Sequence, residues 1–272
     1  MLENPRSPRV RAVAKLAKRA ARDETGHFLL EGPQAVREAI AFRPDAIVDL
    51  FATPSAAERH AELREAAGEA GIEVSYATEA VLASMADTVT PQGILAVARQ
   101  FPTSLRDVLA AAPRLVAICE EVRDPGNLGT IIRAADAVGA DAVLLTGRTV
   151  DLYHPKVVRA TTGSLFHVPV SRAGQLADVV TAVRAAGLRV IAADVKGDDL
   201  LAVRAAGVLA GSTAWLFGNE AHGLTDDALA LADTVLRVPI YGRAESLNLA
   251  TAASVCLYES AFAQRSSPVT ER

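Results

Sequence analysis

The sequence predicts an α/β protein in two parts: a small α/β domain over residues 1–100 and, over 114–272, a larger domain built on a mostly parallel sheet. Three observations carry this prediction. Short apolar runs alternate with stretches of helical periodicity through most of the 272 residues, which is the pattern of strands joined by helices. Beyond residue 114 the apolar runs are little broken by polar residues, as strands covered on both faces require. Between the two parts, residues 101–113 hold a short Ala/Leu helix with Pro102 and Pro113 near its ends, which reads as a linker.

The chain opens on a basic amphipathic helix. Arg11, Lys15, Lys18 and Arg22 recur at helical spacing, while Val10, Val13, Ala14, Ala17 and Ala21 lie mostly on the other side. A strand at His27–Leu30, a helix at Pro33–Ala41 and a strand at Ala46–Phe51 follow. Next come a helix at Ala56–Ala70, a strand at Glu73–Tyr76, a helix at Glu79–Met85 and a strand at Gly93–Ala98. In the second part, strands are expected at Leu115–Glu120, Ala142–Thr146, Val168–Val170, Arg189–Ala193, Trp215–Phe217 and Val235–Val238. Helices separate most of these, and a long helix, Leu247–Ala263, is the last element.

Composition excludes several classes. Half of the residues are hydrophobic and the formal charge is −4, which is unlike disordered, collagen-like or disulfide-dense chains. The longest charge-free run, Ala205–Asn219, is 15 residues long and contains Gly, Ser, Thr and Asn, too short and too polar for a membrane span. With no apolar signal core at the start, a cytoplasmic location is expected. Cys119 and Cys256 lack CxxC spacing and read as buried thiols; no metal site is expected. The total charge hides a segregation. Residues 1–22 hold seven basic side chains and one acidic one, Glu3, a net +6, whereas the rest holds 21 basic against 31 acidic, a net −10. The basic helix is either a solvated face or a shallowly docked arm that binds nucleic-acid phosphates, and in the second case its removal weakens nucleic-acid binding.

Ligands of open parallel sheets bind beyond the carboxyl ends of strands, and three segments stand there. After Leu115–Glu120 comes EVRDPGNLGTIIR, in which Asn127 is placed to cap a helix that carries Arg133. After Trp215–Phe217 comes GNEAHGL, with Glu220 at the strand exit between two glycines. After Val235–Val238 comes PIYGRAESLNL, which runs into the last helix with Ser246 and Asn248 in its first turn. Each segment alone also reads as an ordinary turn, strand exit or cap.

In this order, the segments Asn127–Asp141, Leu216–Leu224 and Val238–Glu259 resemble the three motifs of the SpoU (TrmH) family of S-adenosylmethionine-dependent RNA ribose 2′-O-methyltransferases. The basic helix followed by GHFLLEG resembles that family's substrate-binding domain, as in its ribosomal RNA enzymes, some of which confer antibiotic resistance. The resemblance implies a deep trefoil knot in the second domain, a SPOUT-like fold. It implies S-adenosylmethionine as cofactor, held through backbone groups at Ala193, Gly218, Val238, Ile240, Ser246 and Leu247. It implies catalysis by Arg133 with Asn127, Glu220, Ser246 and Asn248 around it, and a homodimer packed in part through the last helix. Val255, Leu257 and Phe262 give that helix the apolar bulk an interface needs, with burial against its own sheet as the alternative.

A guanidinium holds its proton too tightly for a free base, so Arg133 is expected to clamp a phosphate and stabilise the developing alkoxide. Glu220 and Asn127 are expected to orient it. Phosphate contacts are expected from Arg11, Lys15, Lys18 and Arg22 of the basic helix, and from Lys156 and Arg159 in a segment that also holds Tyr153, His154 and Ser164. The substrate expected is RNA, with large-subunit (23S) ribosomal RNA favoured. A transfer RNA methyltransferase and a non-catalytic RNA-binding protein on the same fold are the alternatives. A nucleotide-binding oxidoreductase is disfavoured, since the chain has no GxGxxG.

Overall fold

The computed structural model describes residues 1–266. In chain order the first elements are α1 (Pro8–Lys15), α2 (Arg19–Thr25), β1 (His27–Glu31), α3 (Pro33–Phe42) and β2 (Ile47–Ala52). Then follow α4 (Pro54–Arg59), α5 (Ala61–Glu69), β3 (Val74–Tyr76), α6 (Glu79–Met85), β4 (Ile94–Arg99) and α7 (Leu105–Ala110). Next are β5 (Leu115–Glu120), α8 (Pro125–Val138), β6 (Ala142–Thr146), α9 (Pro155–Thr161), β7 (Val170–Gly174) and α10 (Leu176–Ala185). The last are β8 (Arg189–Asp199), α11 (Leu200–Ala205), β9 (Thr213–Phe217), α12 (Asp226–Ala230), β10 (Thr234–Arg237) and α13 (Leu249–Ser266). None of the helices among the described residues is long and apolar enough to cross a membrane.

The chain forms two compact units. The first is Met1–Phe101 together with Asp151–His167; the second is Pro102–Val150 together with the chain from Val168. Residues 151–167, grouped by sequence with the second domain, therefore pack in the first unit. The reason is a set of buried contacts: Asp151 pairs with Arg22, the Tyr153 hydroxyl accepts the Phe101 N–H at 2.8 Å, and the Tyr153 ring lies 4.6 Å from that of Phe28. Residues 101–113 are likewise more than a linker. Ser104 caps α7, whose Val108 is buried in the second unit's core with Leu105 and Leu109 packed against it.

The first unit holds a sheet in the order β1-β4-β2-β3, with β4 antiparallel to both β1 and β2, and β3 parallel to β2. The basic helix differs from expectation. It is two helices, and α1 is deeply docked: Val10, Val13 and Leu16 are buried in one cluster with Leu29, Phe51, Leu82 and Met85. The chain tightens after Lys15 into bonds three residues apart, and the Arg22 guanidinium donates to the freed carbonyls of Leu16 and Ala17 at 2.8 and 2.9 Å. Arg22 thus serves the end of α1 as a C-terminal cap.

The second unit holds a parallel sheet in the order β10-β8-β9-β5-β6-β7. One face is packed through Val116, Ile118, Leu144, Ala192 and Leu216 against residues of α7, α10 and α12. On the other face lies α13, whose buried Ser260 accepts the indole N–H of Trp215 at 2.8 Å. Between β8 and β10 the register jumps: Val235 pairs with Ala192, but Leu236 pairs with Asp198. The intervening residues of β8 loop out and return at Gly197, where a Cβ would lie 2.5 Å from the Val235 carbonyl and the Leu236 nitrogen. Only glycine allows the two backbones to approach this closely.

Candidate active site

The site is assembled at the carboxyl ends of β5, β9 and β10, where three loops meet. The loop after β5 leads into α8. Asp124 is the N-cap, its Oδ1 accepting the Asn127 N–H at 2.8 Å, and Pro125 occupies the first turn. The sequence reading gave this role to Asn127; an acidic residue directly before a proline at the first helical position was the stronger cap signal. Released from capping, the Asn127 side chain spans the site. Its Nδ2 donates to Glu220 Oε1 at 3.2 Å, and its Oδ1 accepts from Asn248 Nδ2 at 2.9 Å.

Glu220, in the loop after β9, accepts the backbone N–H groups of Arg123 and Asp124 at 3.1 and 3.0 Å. Both carboxylate oxygens are engaged by N–H donors, so this side chain fastens the loop that precedes α8. Asn219 fastens the same loop from the other side, donating from Nδ2 to the Glu121 carbonyl at 2.8 Å. Sequence reasoning missed this residue, which in a strand exit gives no signal beyond its turn propensity. Gly218 precedes it at a crowded crossing: a Cβ there would lie 2.4 Å from Gly223 carbon. Asn248 is the N-cap of α13, its Oδ1 accepting from Ala250 N and Thr251 N at 3.0 and 3.3 Å. One hydrogen-bonded chain, Asn248 to Asn127 to Glu220, therefore joins the three loops.

Arg133 and Ser246 stand outside this chain. Arg133 is exposed on α8 and makes no ion pair among the described residues. Six residues beyond Asn127, it is rotated by about 240° around the helix axis, so the two side chains leave α8 in different directions. Ser246 is exposed in the loop before α13. Beneath the site, burial pushes the Cys119 thiol up to about 12, with the Glu220 charge adding to the shift. Cys256 is pushed to about 12, chiefly by burial as well. Both thiols are buried and unpaired.

The residues expected to hold a cofactor lie at neighbouring strand ends. Ala193 follows the paired Ala192 of β8, Gly218 follows β9, and Val238 and Ile240 follow β10. Leu247 lies in the loop before α13 and is 37% exposed. From Ile240 to Leu247 no backbone N–H is hydrogen-bonded within the protein among the described residues. The loop thus presents free backbone donors beside small and aliphatic side chains.

The expected RNA contacts divide. Arg11, Lys15 and Lys18 are exposed, as is Lys156 on α9. Arg22 is not: its side chain is 1% exposed and pairs with Asp151 at 2.7 Å. Arg159 is also engaged, with Nη1 at 2.8 Å from Glu31 and Nη2 at 3.1 Å from Asp87. These two arginines are therefore corrected from phosphate contacts to structural ones, since their charge is neutralised where they stand. Nearby, Tyr153 and Ser164 are buried, and His154 caps α9 through Nδ1.

Residues 114–258 match the SpoU rRNA Methylase family and residues 7–96 match an MRM3-like substrate binding domain. The chain is 34% identical over 258 residues to the 23S rRNA (guanosine(2553)-2′-O)-methyltransferase RlmP of Bacillus subtilis, covering 94% of this chain and 97% of that one. Among solved structures, it is similar to the SpoU methyltransferase AviRb of Streptomyces viridochromogenes in complex with the cofactor AdoMet. That match has a TM-score of 0.81 at 30% identity, over 96% of this chain and 100% of the other. An AdoMet-bound rRNA methyltransferase from Sinorhizobium meliloti matches with a TM-score of 0.80 at 31% identity, over 95% and 96% of the two chains.

Proposed function

The chain belongs to the SpoU rRNA Methylase family, and on that premise we propose that it is an enzyme transferring the methyl group of S-adenosylmethionine to a ribose 2′-hydroxyl of RNA, with 23S ribosomal RNA as the substrate. The observation that carries this reading is the hydrogen-bonded chain Asn248–Asn127–Glu220, which unites three separated segments at the strand ends. A site assembled in this way is more specific than any one of its segments.

The cofactor is S-adenosylmethionine, which supplies an electrophilic methyl group on a sulfonium. The free backbone groups of Ile240–Leu247 and the crowded glycine crossings at Gly197 and Gly218 fit a ligand recognised by main chain. Ala193, Gly218, Val238, Ile240, Ser246 and Leu247 would hold it. The acceptor hydroxyl is a poor nucleophile until its proton leaves. Arg133, exposed and always charged, binds an RNA phosphate and offsets negative charge on the reacting oxygen. Asn127, Glu220 and Asn248 keep the start of α8, and so Arg133, in place relative to the loops.

The finer reading comprises a cytoplasmic homodimer with a trefoil-knotted second unit, and a first unit that binds RNA through Arg11, Lys15 and Lys18. Exposed Tyr258 and Phe262, whose rings lie 5.5 Å apart on α13, support the dimer, whereas Leu257 is fully buried and takes no part in it. The match of residues 114–258 to a family whose relatives include RlmP favours ribosomal over transfer RNA. The test is incubation with methyl-labelled S-adenosylmethionine and unmodified 23S ribosomal RNA, followed by primer extension at low nucleotide concentration. Label confined to one ribose is expected; no transfer to any RNA would overturn the proposal.

A further inference from the structure

Glu120 ends β5, the strand that pairs with β6 on one side and β9 on the other. It lies opposite Thr146 of β6, and the preceding Cys119 lies opposite Phe217 of β9, so Gly147 and Gly218 follow directly on either side. By strand alternation it shares a face with Val116 and Ile118. Its Oε2 is buried and has no hydrogen-bond partner among the described residues. Such an oxygen is costly to keep, and native proteins keep few of them. Glu259 Oε2 is also without a hydrogen bond, but Arg204 Nη1 lies 2.7 Å away and neutralises it. Glu120 has no ion pair among the described residues.

Two further features are built around this carboxylate. Glu121, the next residue, has φ 50°, a left-handed conformation unfavourable for a residue with a long side chain. It is held there by its N–H to the Thr146 carbonyl at 3.1 Å, by Asn219 on its own carbonyl at 2.8 Å, and by Arg123 on its carboxylate at 3.0 Å. Strain maintained by this many bonds is typical of binding and catalytic positions. Gly147, with φ +65°, leaves the space in which the carboxylates stand. A Cβ there would lie 2.8 Å from Glu121 Cγ and 3.1 Å from Glu120 Oε1.

We propose that Glu120 is a ligand-binding residue whose carboxylate, by turning its buried and unpartnered Oε2 outward, accepts an O–H or N–H from a nucleoside bound at the strand ends. The donor is a hydroxyl or amino group, because one carboxylate with no metal-holding group of His, Cys, Asp or Glu among the described residues suits a neutral donor better than a cation. Both ligands of the proposed reaction carry such groups: the nucleoside of S-adenosylmethionine and the target nucleotide of the RNA. The inference rests on the functional reading above.

The test compares wild type with Glu120→Gln and Glu120→Ala in three measurements: thermal unfolding of the free protein, calorimetric titration with S-adenosylmethionine, and methyl-transfer kinetics on 23S ribosomal RNA. Because Oε2 has no partner to lose in the free protein, the melting temperature of Glu120→Gln should equal or exceed that of wild type. At the same time one binding step should weaken by about ten- to a hundredfold, the loss of a hydrogen bond to a charged acceptor. Weaker titration identifies the cofactor as the donor. Unchanged titration with lower kcat/KM for RNA identifies the target nucleotide. A lower melting temperature with unaltered binding and kinetics overturns the proposal in favour of a structural role, and wild-type behaviour in all three overturns it outright. If wild type transfers no methyl to RNA, the functional reading falls, and the Glu120 assignment is then decided by the titration alone.

Discussion

Arg22 separates a structural from an RNA-binding account of the N-terminal charge. Its guanidinium donates to Asp151 from Nε at 2.8 Å and lies within 2.7 Å through Nη2, while Nη1 serves the carbonyls of Leu16 and Ala17. With side-chain exposures of 1% and 8%, the two charges have almost no water to fall back on. Asp151→Asn leaves a buried guanidinium without its counter-charge and should cost about 3–5 kcal/mol. Arg22→Met should cost a similar amount, because it strands both Asp151 and two helix-end carbonyls. The double variant removes both charges and should be less damaging than the sum of the two. Against a typical domain stability of about 5–15 kcal/mol, either single change uses up much of the margin. Urea unfolding of the first unit's transition measures these costs, and RNA affinity at several salt concentrations measures the charge. At temperatures where it stays folded, Arg22→Met should keep the wild-type salt slope. Lys15→Ala should lower the slope by roughly 0.7–0.9 with little effect on stability. If Arg22→Met unfolded like wild type and flattened the slope, the structural account of Arg22 would be refuted.

Three further outcomes follow from the second unit. Glu220→Ala frees three exposed N–H donors that water can satisfy, so stability should fall by only about 1 kcal/mol while methyl transfer falls on the order of 10²-fold through misplacement of the α8 loop; comparable unfolding and activity losses would count against this. Arg133→Ala should reduce transfer by about 10²–10³-fold with S-adenosylmethionine affinity retained, and an equal loss of cofactor binding would show that its assigned role is wrong. Burial pushes the Asp233 carboxyl up, but the Arg184 guanidinium and the Val190 N–H outweigh it and hold the group below its usual range. A depressed carboxyl stabilises the fold above its unfolded value of about 3.9 and loses that contribution as pH falls through the folded value. Asp233→Asn should therefore flatten the acid side of the stability curve below about pH 4, and an unchanged acid limb in pH-dependent unfolding would contradict this.

The elements were legible where periodicity was strong. Leu115–Glu120, Ala142–Thr146 and Glu79–Met85 have the boundaries that apolar alternation suggests, because each is a simple run between turn residues. Predictions failed where a distant partner decides the local outcome. Ala56–Ala70 divides into α4 and α5 at His60, and residues 8–25 divide at Leu16–Lys18. The second break depends on Arg22 and, through Asp151, on a residue 129 positions away. In the site, residue types were readable but not their connections. Asn127, Glu220 and Asn248 were each recognisable beside a strand end, yet only the folded chain shows that Asn127 bonds to both of the others and that Asp124 caps α8 in its place.

Ion pairs within the first unit reduce the charge that the N-terminal segment can offer a ligand. Of its seven basic side chains, Arg9 faces Asp49, Arg19 faces Asp23 and Arg22 faces Asp151, so three are neutralised within the first unit. Arg6, Arg11, Lys15 and Lys18 make no ion pair among the described residues and are exposed. The segment is therefore no detachable arm: deleting residues 1–22 would remove Val10, Val13 and Leu16 from the core and Arg22 from its buried pair. A truncation would report unfolding rather than RNA affinity. Substitutions confined to the exposed side of α1 keep the core intact, and they are the means by which the charge of this segment can be weighed separately from its packing.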